Sequence, residues 1–102
     1  TPSIALEATI ERWVDRLARL EPRITRAAVV VERPHRKHRT GQLFHVRLEI
    51  AIPDQVIVVG RDPQLDEAHA DAYTAVGDAF RAARRQLQDA LEIRRGDVKI
   101  HA

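Results

Sequence analysis

The chain has no cysteine, so any chemistry must rest on its histidines, carboxylates and hydroxyls. Without thiols, a disulfide, a thiolate metal site and a Cys nucleophile are excluded, a usage that suits a reducing, cytoplasmic setting. The single serine, Ser3, precedes an apolar-periodic run, where a hydroxyl caps a helix rather than attacks a substrate. His35 and His38 have a spacing that suits metal ligation. Arg36, Lys37 and Arg39 surround them, however, and no acidic ligand is close, so no metal is expected there. Asp66-Glu67-Ala68-His69 spells a helicase motif, but the phosphate-cradling Gly-rich loop with Lys and Ser or Thr is missing. Acids at a helix start are also favoured by the macrodipole. His45 alternates outward on a strand beside Arg47, which makes it a surface or RNA contact rather than a catalyst. No poised nucleophile or carboxylate pair stands out, so no enzyme activity, catalytic residue, cofactor or small-molecule substrate is assigned.

The remaining chemistry is anion binding by arginine. Net charge is only +2, so attraction to an anion must come from local clustering. Arg stays charged and grips phosphate bidentately. Arg12, Arg16, Arg19 and Arg23 recur at steps of four, three and four, and Arg81, Arg84 and Arg85 group on one face of a later segment. The segment His35-Arg36-Lys37-His38-Arg39-Thr40-Gly41 adds a third cluster. One charged helix face is more often simply solvated, and Asp15 is placed to pair with Arg19. Two such faces, a basic loop and a basic tail together suit a phosphate backbone read without sequence preference.

These side chains need elements to hold them. Thr1 to Leu20 reads as a helix with Ile10, Trp13, Val14, Leu17 and Leu20 as its buried stripe, ended by Pro22. Ile24 to Glu32 reads as a strand, with the basic loop as a protruding hairpin tip. Gln42 to Ile52 alternates Phe44, Val46, Leu48, Ile50 and Ile52 with polar residues, the clearest strand. Pro53-Asp54 turns the chain into Gln55 to Gly60, whose run of Val and Ile predicts partial cover on both faces. The second helix is expected to start near Asp66 to Ala70 and to run to about Leu91, burying Tyr73, Val76, Phe80, Ala83 and Leu87. Residues 93–102 form a basic tail, extended or loose. No apolar run is long enough to span a membrane. The 102 residues thus form one domain of α+β class. Its expected architecture is a two-layer sandwich ordered helix–strand–strand–strand–helix, an antiparallel meander with both helices on one face. That order matches the double-stranded RNA-binding module, although the Lys-rich start of that module's second helix is here replaced by Asp66, Glu67 and Asp71.

Asp71, Tyr73, Ala75 and Val76, followed by Arg85, Gln86 and Leu87, resemble the second-helix motif of the ribosome hibernation promoting factors and the ribosome-associated inhibitor of translation. Arg16, Leu17, Leu20, Arg23 and Ile24 match the end of that family's first helix. Arg33-Pro34-His35-Arg36-Lys37-His38, Gly41, His45-Val46 and Arg95-Gly96-Asp97-Val98-Lys99 resemble one bacterial branch of it. The resemblance implies a factor that binds ribosomal RNA of the small subunit in the messenger and transfer RNA channel and blocks translation in idle ribosomes. It places basic sites at Arg16 and Arg85. Helix geometry extends them to Arg12, Arg19, Arg23, Arg81 and Arg84, and Arg36, Lys37 and Arg39 form a further contact. Departures are Gly77 where the family often has Asp, Ala82 where it has a basic residue, and the absence of the strand that usually precedes the first helix. With that strand missing, an open sheet edge is expected to offer pairing with another copy. Ribosome pairing through the long forms' C-terminal dimerisation domain is not expected. A stand-alone module for structured RNA and a protein-interaction domain with merely solvated stripes are the alternatives. Salt-sensitive RNA binding separates the second from the rest, and competition by duplex RNA separates the first.

Overall fold

The computed structural model describes residues 3–32, 44–60 and 71–101, with 94–101 as backbone only. The hairpin tip with Arg36, Lys37 and Arg39, its flanking His35 and His38, and Asp66-Glu67-Ala68-His69 lie outside the described residues. The elements run α1 (Ile4–Leu20), β1 (Arg26–Glu32), β2 (His45–Ile52), β3 (Gln55–Val59) and α2 (Ala72–His101). The strands form one antiparallel sheet in the order β1-β2-β3. This is the α+β sandwich expected from the order of elements.

Strand alternation sets the core. The register aligns Val29 with Leu48 and Val59, and Ala27 with Ile50 and Ile57, so these residues share one sheet face. Val46, Leu48, Ile50, Ile52 and Ile57 on that face are buried. α2 covers β2 and β3, and α1 packs chiefly against α2. Val76, Phe80, Ala83 and Leu87 are buried as their spacing predicts, together with Ala75 and Ala79. Tyr73 of the same expected stripe is 45% exposed, because it lies in the first turn of α2, just after Asp71. Leu20 is likewise exposed at the last turn of α1, where the buried residues are Leu6 and Leu17.

Local signals place the helix ends. The Ser3 hydroxyl accepts from the Leu6 N–H at 3.1 Å and caps α1. The helix closes where the Glu21 N–H reaches the Leu17 carbonyl and Pro22 follows. α2 begins at Ala72, later than the acidic stretch suggested. The Asp71 carboxylate accepts from the Tyr73 N–H at 2.9 Å and from the Thr74 hydroxyl at 3.0 Å. The aspartate of the second-helix motif is therefore its N-cap. At the other end the backbone stays helical to His101, where a loose tail was expected. Arg94, Arg95, Val98, Lys99 and Ile100 all tolerate a helix, and the lone Gly96 costs only about 1 kcal/mol there. Among the described residues no helix is long and apolar enough to cross a membrane.

The second sheet face departs from expectation at two places. Val56 on β3 is 51% exposed, so the cover foreseen for that strand does not reach it. His45 points away from the helices, as the alternation requires, but it is buried rather than exposed. Its Nδ1 lies 3.1 Å from the Glu32 carboxylate on the paired strand. The backbone of Gly60 lies against its ring, since a Cβ there would come within 3.3 Å of Nε2. Gly60 has φ +72°, and the same Cβ would stand 2.1 Å from the Val46 carbonyl oxygen. Gly60→Ala is therefore expected to destabilise the fold by about 2 kcal/mol or more. Urea denaturation measures this, and an unchanged midpoint would show that Gly60 is not confined by β2.

Candidate nucleic-acid interface

Trp13 on α1 and Phe80 on α2 form the junction of the two helices. Their rings stack with centroids 5.7 Å apart and planes 15° from parallel. Phe80 is almost fully buried, whereas Trp13 reaches the surface. The Arg16 guanidinium sits 4.8 Å from the Trp13 ring centroid and that of Arg81 sits 5.3 Å from it. Such cation–π contacts contribute about 0.5–1 kcal/mol each at exposed sites, enough to orient the guanidinium groups without neutralising them. A cleft of about 270 Å³ opens here, walled by Leu17, Leu20 and Phe80, with Arg16, Arg81 and Arg84 around Trp13.

Gly77 faces this junction. A Cβ on it would meet Arg81 Nη1 at 3.1 Å and the Trp13 ring at 3.5 Å. The Arg81 tip is exposed and can move, so the penalty for a methyl group is small. Gly77→Ala is expected to raise stability by about 0.5–1 kcal/mol through helix propensity. The expected signature is a higher denaturation midpoint with a changed Trp13 emission, and a lower midpoint would mean that the helix contact is tighter than this geometry.

The arginines singled out by the sequence divide into two sets. Arg12, Arg16, Arg19, Arg84 and Arg85 are all exposed, and among the described residues none has a carboxylate within ion-pair distance. The pair foreseen between Asp15 and Arg19 does not form. Arg12 donates to the Thr9 hydroxyl at 3.2 Å. Arg81 is shared between Trp13 and the Asp78 carboxylate at 3.1 Å. The structure brings Arg16, Arg81 and Arg84 to one cleft, and Arg12, Arg19 and Arg85 lie elsewhere on the same two helices. Nothing in the spacing of Trp13, Leu20 and Phe80 marks them as lining that cleft, since it reads simply as core.

Arg23 belongs to the fold. Its Nε donates to Glu21 Oε1 at 2.6 Å, and its backbone N–H donates to the same oxygen at 3.0 Å. Hydrogen bonding to Glu21, reinforced by the carboxylate's charge, raises the Arg23 pKa above its ordinary value. Glu21 is buried in the turn between α1 and β1, so Arg23 offsets a charge that would otherwise be costly there. On the far face of the sheet, Arg47 and Arg26 both reach Glu49, at 2.9 and 3.8 Å. Arg23→Gln should accordingly lower the melting temperature, whereas Arg19→Gln should leave it unchanged within error. Equal effects in a thermal melt would contradict this division.

Residues 1–95 match the family described as sigma 54 modulation protein / S30EA ribosomal protein. The chain belongs to that family of ribosome-associated hibernation factors. No curated protein is significantly similar to it.

Proposed function

We propose that the chain is a hibernation factor that binds ribosomal RNA of the small subunit in the channel for messenger and transfer RNA. It acts there by occupancy, as a steric block with phosphate neutralisation and no covalent chemistry. The observation that carries this reading is the distribution of arginine partners. Arg12, Arg16, Arg19, Arg84 and Arg85 on the helical layer lack carboxylate partners among the described residues, while Arg26 and Arg47 on the opposite sheet face share Glu49. Unpaired guanidinium groups on two packed helices are available for phosphate oxygens at little desolvation or exchange cost. Arg81 contributes from its position between Trp13 and Asp78, whereas Arg23 is committed to Glu21. Arg36, Lys37 and Arg39 complete the proposed contact from the β1–β2 connection. Family membership supports the ribosome as partner.

Binding by this route weakens steeply with salt, because each neutralised phosphate releases counterions. Co-sedimentation with purified small subunits through a salt series, with duplex RNA as competitor, tests the reading. The wild-type chain should pellet with the subunit despite the competitor, and charge reversal of Arg84 and Arg85 together should abolish pelleting. Survival of binding in that variant would remove α2 from the interface. Equal loss of the wild type to any duplex would instead identify a generic structured-RNA module. Among the described residues the outer edge of β1 has no strand partner, and pairing of that edge with a second copy belongs to the proposal.

A further inference from the structure

We infer that the cleft between α1 and α2 takes one unstacked nucleotide of an RNA strand, a deepening that rests on the RNA-binding reading above. The cleft combines two kinds of surface that a lone phosphate would not need. Leu17, Leu20 and Phe80 provide an apolar wall, and Arg16, Arg81 and Arg84 bring three guanidinium groups to the same opening. Arg16 and Arg81 are already held over the Trp13 ring, so their planar groups are oriented. An unpaired base finds a stacking surface on guanidinium planes and aromatic rings, and its phosphate finds bidentate donors. Arg84 is the natural phosphate partner, since among the described residues no carboxylate competes for it.

Size and charge narrow the occupant further. About 270 Å³ lies just below the range of roughly 300–1,000 Å³ typical of small-molecule pockets, room for about one nucleotide, and three guanidinium groups in the lining suit a phosphate-bearing occupant. A base inside a duplex is stacked on both sides and cannot enter a cleft of this shape without extrusion. The site therefore selects for unpaired RNA, while the exposed stripes formed by Arg12, Arg19 and Arg85 tolerate any phosphate backbone. This asymmetry gives the interface a preference for RNA that has an accessible bulged, looped or terminal nucleotide.

Trp13 is the sole tryptophan and lies in the cleft, so its fluorescence reports occupancy directly. The full chain would be titrated at low salt with a short unpaired RNA, with the same RNA annealed to its complement, and with inorganic pyrophosphate. The unpaired RNA should change Trp13 emission saturably, with the duplex about tenfold weaker at equal phosphate concentration and pyrophosphate without effect. Arg84→Gln should weaken the unpaired RNA about tenfold, and Arg85→Gln, which removes the same charge outside the cleft, only about threefold. Equal responses to duplex and unpaired RNA, equal losses in the two variants, or saturation by pyrophosphate would each overturn the assignment. If small-subunit sedimentation persists while Trp13 stays silent, only the nucleotide site is lost. If subunit binding itself fails, the functional reading is lost as well.

Discussion

The stack of Trp13 on Phe80 is the contact on which the helical layer depends. α2 is seated on the sheet through Val76, Phe80, Ala83 and Leu87, but α1 reaches the core chiefly by way of α2. An offset aromatic pair contributes about 0.5–1.5 kcal/mol beyond the area it buries. Here it also fixes the relative rotation of two helices whose other faces carry arginine. Without it, Arg16 on one helix and Arg84 on the other would not share a cleft. A contact that belongs to the core thereby determines the geometry of the surface.

The electrostatics follow the same division between layers. On the sheet's far face Arg26, Arg47 and Glu49 satisfy one another, and Glu32 is paired with the buried His45. The exposed pairs to Glu49 contribute only about 0–1 kcal/mol, so their main consequence is local charge balance on that face. Among the described residues, the helical face retains guanidinium groups without carboxylate partners, which repel one another modestly in isolation. That repulsion is relieved when an anion arrives, so the arrangement favours a partner over the free state. A net charge of +2 is too small to draw an anion by itself, so any such attraction rests on how the arginines are grouped along the helices.

Much of this was legible in the sequence. Strict alternation in β2 and the three-and-four spacing in α2 announce burial, since a wrong register would expose every large apolar side chain at once. The arginine stripes were visible for the same geometric reason. Burial of His45 was hidden because it depends on Glu32 across the sheet and on Gly60 just past the end of β3, neither of which is local. The exposure of Leu20 and Tyr73 was missed because periodicity gives the direction of a side chain but not whether a neighbour extends that far. Arg23 looked like one more member of a stripe, but it lies beyond the end of α1 and is turned back onto Glu21. The helical course of 94–101 follows from ordinary propensities that a cluster of basic residues around one glycine had obscured.

In the proposed complex, arginines from both helices act together on one polyanionic partner. The most direct test measures the salt dependence of binding to the small subunit for three chains. These are the wild type, a variant with Arg12, Arg16 and Arg19 changed to Gln, and a variant with Arg81, Arg84 and Arg85 changed to Gln. If each arginine neutralises one phosphate, each triple substitution should reduce the slope of log affinity against log salt by roughly two to three. A slope that falls with only one helix, or with neither, would contradict a shared interface.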